Sequence, residues 1–215
     1  MRISFDRLHA NRRDFVEKNK LKDHMVLEGS SPVLISAPHG ISQVRLGKLK
    51  VPEIGSLATA LFLKSNTNSH LIAKTKNNND DANFDEESSY KSQAIKIIKS
   101  KNIRFVLDIH GLAAHRDCDI NLGTHLGNNI ASNKRAYVAL AKLLEDAGFV
   151  VSVDQPFMAA ACTISSSIKK VFPEVWTIQI EVNCKISNRK ENFEKYKKLL
   201  SALLAWCNMA ENERF

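Results

Sequence analysis

The chain has 215 residues, enough for one full-sized domain with its own core, and its 44% apolar and 25% charged make-up is the one expected of a soluble globular protein. No apolar run approaches the roughly 20 residues a bilayer span needs, so no membrane partner is expected. The net charge of +8 fits nucleic acid, an anionic small substrate or plain solubility, and its spread along the chain, mixed with Asp and Glu, favours solvated faces.

Met1 to Arg7 lacks the apolar core of an export signal. Cys118, Cys162, Cys184 and Cys207 are scattered without CxxC spacing, which argues against a zinc ribbon or a disulfide framework. Together these give the expectation of a reduced, cytoplasmic protein. Residues 1–23 read as a charged N-terminal extension with some helix. His24 to Glu28 reads as a short strand, and Gly29 to Pro32 as a turn into a core strand over Val33 to Ala37. Gly40 to Val51 reads as a loop carrying Arg45, Lys48 and Lys50. Pro52 suits the first turn of a helix whose stripe is Leu57, Ala60, Leu61 and Leu63. A strand over His70 to Thr75 follows, then a loop over Lys76 to Glu87, rich in Asn and Asp, and a helix over Ser88 to Ser100.

Ile103 to Leu107 is branched or aromatic almost throughout and reads as a buried strand, running into Asp108-Ile109-His110-Gly111. Short strands over Cys118 to Leu122 and Phe149 to Val153 flank a helix that Ser132 or Asn133 caps and Gly148 ends. Thr163 to Phe172 reads as helix, Val175 to Val182 as strand, and Asn188 to Asn208 as the last helix. Strand and helix alternate through most of the chain. That pattern predicts one domain, a three-layer α/β sandwich with a mostly parallel mixed sheet.

Two apolar strands end alike, the first in Pro38-His39-Gly40 and the second in Asp108-Ile109-His110-Gly111. The carboxyl ends of strands are where open α/β sheets bind ligands, so His39 and His110 are expected to meet at one site. Asp108 is placed to orient the His110 ring from behind. Two imidazoles and a carboxylate, Glu53 at the start of the next helix, make a catalytic zinc set with one open position. Such a metal polarises a carbonyl and brings the pKa of water towards neutrality. A further carboxylate is then wanted as general base, and Glu181 is the candidate, since a carboxylate in so apolar a strand is costly without a task.

His39-Gly40 with Arg45, Lys50 and Glu53, then Asp108 to Gly111, resembles the N-formylglutamate amidohydrolase family, itself similar to zinc carboxypeptidases. The resemblance takes in Asp81-Ala82-Asn83 ahead of Tyr90, the segment Arg116 to Thr124, and Gln179 to Asn183, so it spans roughly residues 33 to 185. It implies the phosphorylase/hydrolase-like fold and zinc-dependent hydrolysis of an amide bond, with one Zn2+ per chain. By position, His39, Glu53 and His110 are similar to the metal ligands and Glu181 to the catalytic glutamate. In the carboxypeptidase pattern two residues separate the His from the Glu, whereas here the first carboxylate after His39 is Glu53. Arg45 and Arg116 are the expected anchors for a substrate carboxylate, because a guanidinium grips one with two bonds. Arg116 is also expected to stabilise the oxyanion. Asn83 is expected on the same carboxylate, and Lys50 to steady the loop or the oxyanion.

Three functions compete. The first is a zinc amidohydrolase acting on an N-acyl amino acid or a similar small anionic amide. The second is a carboxypeptidase-like peptidase using the same centre. The third is a basic nucleic-acid-binding protein on a degenerate hydrolase fold, ranked last because the aromatic residues sit in apolar runs rather than among the cations.

Overall fold

The computed structural model describes residues 3–215. Nine strands and seven α-helices follow one another along the chain: α1 (Phe5–Asn19), β1 (His24–Leu27), β2 (Val33–Ala37), β3 (Gln43–Arg45), β4 (Lys48–Lys50), α2 (Ile54–Asn66), β5 (His70–Lys74), α3 (Ser89–Lys101), β6 (Phe105–Leu112), β7 (Ile120–Gly123), α4 (Lys134–Asp146), β8 (Val151–Val153), α5 (Ile164–Val171), β9 (Trp176–Asn183), α6 (Cys184–Ser187) and α7 (Phe193–Glu211). Seven strands form one sheet in the order β1-β5-β2-β6-β9-β7-β8. The central four, β5, β2, β6 and β9, run parallel. β1 is antiparallel to β5, and β7 is antiparallel to β9. The expected mixed, mostly parallel sheet is present.

Period-two alternation sorts the side chains of the inner strands. Val33, Ile35, Ala37, Phe105, Leu107, Ile109, Trp176, Ile178 and Ile180 pack with α2, α4 and α7 in the larger core. Leu34, Ile72 and Val106 point the other way and pack with α3 and α5 in the smaller one. These are the two helical layers of the sandwich. In the larger core Trp176 stacks on Trp206 at 5.0 Å, and the Trp206 indole N–H donates to the Ala136 carbonyl at 2.8 Å.

The same alternation carries Asp108, His110, Gln179 and Glu181 to the face opposite Phe105, Ile109 and Ile180. The chain leaves β2 for β5 on one side and then returns to β6 on the other. The gap between the carboxyl ends of β2 and β6 is therefore the topological switch point, where such sheets hold their ligands.

Several elements differ from the sequence expectation. Gly40 to Val51 is not a plain loop: β3 and β4 pair antiparallel across Leu46-Gly47. Strand β6 runs on to Leu112, so Asp108 and His110 lie within it rather than beyond it. The last helix starts at Phe193 rather than near Asn188, after the short α6 and a 3-10 turn over Lys190–Asn192. Pro52 precedes α2 rather than sitting in its first turn. Of the N-terminal segment, α1 packs on α2 and buries Leu8 and His9, while residues 1–2 lie outside the described ones.

Candidate metal centre and active site

His39 follows β2 directly, and His110 projects from the adjacent β6. Glu53 stands at the cap position of α2, where its side chain makes no capping bond. It turns towards the two rings instead. Glu53 Oε1 lies 3.0 Å from His39 Nδ1, and Glu53 Oε2 lies 3.5 Å from His110 Nδ1. The two Nδ1 atoms are 3.1 Å apart. Four-coordinate zinc with bonds near 2.0–2.1 Å places its ligand atoms about 3.3 Å from one another, so these three separations suit one ion. His39, Glu53 and His110 are the three residues whose ligating atoms converge in this way.

The rings are fixed from behind. His39 Nε2 lies 2.8 Å from Asp81 Oδ1, and His110 Nε2 lies 3.1 Å from Asp108 Oδ2. With an N–H directed at each carboxylate, the two Nδ1 atoms face each other and the Glu53 carboxylate, where they are placed to share a proton or to ligate a metal. Three such atoms at this spacing suit a cation, and the Lys50 ammonium already lies beside two of them. Burial works against a charged His110, yet Asp108 and Glu53 overcome it and hold the ring's pKa well above the usual imidazole range. A metal ion bound here would displace that proton. Burial likewise opposes charge on Glu53, but His39 and His110 keep its carboxyl well below the ordinary carboxylate range.

The glycines after the histidines serve this geometry. A Cβ on Gly111 would sit 3.0 Å from Glu53 Cβ, and the Gly111 N–H donates to Glu53 Oε2 at 2.8 Å. A Cβ on Gly40 would lie 2.7 Å from the Leu57 side chain. Asp108 is held in turn by the Ser36 hydroxyl, which donates to its Oδ1 at 2.7 Å.

Glu181 on β9 stands in register with His110. It is 5% exposed, and burial pushes its carboxyl up to about 7. The Gln179 amide donates to Glu181 Oε1 at 2.8 Å. A cavity of about 460 Å³ opens over the triad, lined by His39, Glu53, His110 and Glu181 and also by Arg45, Lys50, Asn83 and Arg116. Every residue expected at the site from sequence thus lines this cavity, except Asp108, which supports it from behind.

Some of their contacts were not foreseen. Arg45 is paired with Asp81, Nε to Oδ2 at 2.8 Å. Asn83 is occupied within the protein: its Oδ1 accepts the Ile164 N–H at 2.8 Å and its amide donates to Gln179 Oε1 at 3.4 Å. Its side chain is thereby turned to the protein rather than to a substrate carboxylate. Lys50 lies against the triad, its ammonium 3.0 Å from His39 Nδ1 and from Glu53 Oε1. Asp81 and Gln179 had no assigned role. Gln179 sits two residues before Glu181 on the same strand face, a spacing that was there to be read. Asp81 lies in the Asp81-Ala82-Asn83 segment that the resemblance takes in, but nothing in its Asn- and Asp-rich loop says what the side chain does.

The fold is a three-layer α/β sandwich with a candidate metal centre at its switch point. No family model matches the sequence, and no curated protein matches it. Among solved structures, the chain is similar to an N-formylglutamate amidohydrolase from Ralstonia eutropha JMP134, with TM-score 0.66 and 12% identity over 89% of this chain and 99% of that one. It is similar to a bacteriophage poly-gamma-glutamate hydrolase, with TM-score 0.54 and 11% identity over 86% of this chain and 87% of that one. A metallo-carboxypeptidase from Burkholderia cenocepacia has TM-score 0.51 and 13% identity over 94% of this chain and 69% of that one. At such identities the likeness establishes the shared fold.

Proposed function

We propose that the chain is a zinc-dependent amidohydrolase that cleaves the amide bond of an N-acyl amino acid or a related small carboxylate. One observation carries this reading. Two buried imidazole Nδ1 atoms and a carboxylate converge within 3.0–3.5 Å, each ring braced by its own carboxylate, beneath a cavity that also holds a buried glutamate. The fold shared with an N-formylglutamate amidohydrolase and a metallo-carboxypeptidase supports it.

His39, Glu53 and His110 would hold the ion, which when bound polarises the scissile carbonyl and acidifies water. The remaining work belongs to the chain. Glu181, whose carboxyl lies near neutrality, takes a proton from the attacking water and passes it to the leaving amine. Gln179 holds Glu181 Oε1 in place for that transfer. Asp81 and Asp108 keep the two rings in the ligating tautomer. Arg116 anchors the substrate carboxylate, and Lys50 lies where the carbonyl oxygen gains charge.

Metal analysis of the purified protein tests the reading, with His39→Ala and His110→Ala alongside. About one zinc per chain, lost in both variants, and hydrolysis of N-acyl amino acids that a chelator abolishes are expected. Retention of metal by either variant removes that histidine from the centre. The peptidase alternative draws support from Phe84 and Phe157, aromatic rings 40% and 42% exposed on the cavity lining, where a peptide could rest. Turnover of dipeptides but of no N-acyl amino acid would favour it.

A further inference from the structure

The cations of the cavity are not equivalent. Lys50 sits at the metal end, 3.0 Å from both His39 Nδ1 and Glu53 Oε1, where the scissile bond must lie. Arg45 is paired with Asp81, to which its Nε already donates. Arg116 differs from both. Its side chain is exposed, and its guanidinium lies 6.0 Å over the Phe157 ring. Among the described residues no carboxylate stands within ion-pair distance of it, whereas Arg45 and Lys50 each have one. The cavity therefore offers one uncommitted guanidinium, and one guanidinium binds one carboxylate well.

The wall beside Arg116 is apolar, made of Phe157, Met158 and the alanines 159 to 161. Phe157 is 42% exposed there, a large ring left in water next to a concave site. A volume of about 460 Å³ lies within the range of pockets that enclose ligands larger than a few atoms. A second carboxylate pushed against this wall would lose water, and the other guanidinium of the lining, Arg45, already has Asp81 as its counter-charge. An apolar side chain would gain burial against Phe157 and Met158.

The geometry points to a substrate whose amine half carries a single carboxylate and an apolar side chain, held respectively by Arg116 and by the Phe157–Met158 wall. Its hydrolysis would release an apolar amino acid, rather than the dicarboxylic glutamate that some proteins of this fold are named for. The inference rests on the amidohydrolase reading for the position of the scissile bond and names the substrate class of that same site.

Binding and turnover are measured separately so that the two readings fail separately. Metal-loaded Glu181→Gln protein is titrated calorimetrically with N-formylleucine, N-formylmethionine and N-formylglutamate. The first two are expected to bind at least about tenfold more tightly than the third, the discrimination a hydrophobic pocket can supply. Arg116→Gln in the same background should weaken all three by about tenfold or more, and Phe157→Ala should weaken only the apolar pair. Equal or tighter binding of the glutamate compound, binding of none, or an unchanged affinity in Arg116→Gln overturns the inference. The same panel is then offered to the wild-type enzyme. The apolar binding preference without hydrolysis of any compound leaves the inference standing and removes the amidohydrolase reading.

Discussion

The two histidines of the candidate centre turn their Nδ1 atoms inward because Asp81 and Asp108 occupy the outer nitrogens. Outer carboxylates of this kind are worth about 10- to 100-fold in metal affinity. Asp81→Ala is therefore expected to loosen zinc by about that factor in a chelator competition, with the fold retained by circular dichroism. Unchanged affinity would mean that the ring is oriented by something else. Glu181 makes a second prediction at this scale. Its carboxyl is raised by burial from 4.5 to about 7, so between those values the folded protein binds a proton the unfolded chain has lost. Stability must fall as pH rises through that window, and the cost is complete above it. Glu181→Gln escapes the cost. The metal-free variant should be more stable than metal-free wild type by about 3 kcal/mol at pH 8 and equal to it near pH 4, while the metal-loaded variant loses hydrolysis. A gain independent of pH would show that ionisation of this buried group is not its source.

At the scale of elements, the sequence was readable wherever apolar period and strand end coincided. β2 and β6 announce themselves as branched runs, and their ends place His39 and His110 beside each other because adjacent parallel strands finish at the same edge. What could not be read was pairing across the sheet. That Glu181 stands opposite His110, and Gln179 opposite Asp108, follows only from the register of β6 with β9. The β3–β4 hairpin was hidden for a different reason. Its strands are three residues each and mostly polar, and its turn is Leu46-Gly47, with φ +50° and +73°. Two positive φ values are the mark of the tight hairpin turn that Asn-Gly makes, and leucine masks that signal. Leu46 is also 80% exposed, so its side chain gains little by being there. Leu46→Asn should stabilise the protein by roughly 0.5–1 kcal/mol in urea unfolding, by relieving the left-handed conformation. A loss of stability would mean that the leucine has a contact in solution.

For the whole molecule, the question is what fixes the long polar segment that brings Asp81 to His39, since it has no strand or helix of its own. The answer lies next door. Lys74 at the end of β5 is fully buried, and its ammonium meets Asp23 at 2.5 Å and Asp80 at 2.7 Å. Asp23 also bonds the His24 ring at 2.8 Å, tying the start of β1 to the same cluster. One buried cation thus joins the sheet edge, the segment before β1 and the residue preceding Asp81. Burial would raise the Asp23 carboxyl, but hydrogen bonds from Lys74, Ser89 and His24 bring it down from 3.8 to about 2. Its contribution is whole above pH 3.8 and disappears as pH falls through 2. Since Asp23 is partly exposed, it amounts to about 1–2 kcal/mol. Lys74→Met leaves two carboxylates facing each other with no counter-charge, the kind of broken buried pair that costs about 3–5 kcal/mol. The loss should be large at pH 7 and smaller at pH 2, where Asp23 of the wild type is itself about half protonated and its pairing with the ammonium is correspondingly weakened. Because the released segment carries Asp81, zinc affinity should fall in the same variant although the substituted side chain touches none of the candidate metal ligands. Equal destabilisation at both pH values, or metal affinity as in the wild type, would separate the cluster from the site it is argued to hold.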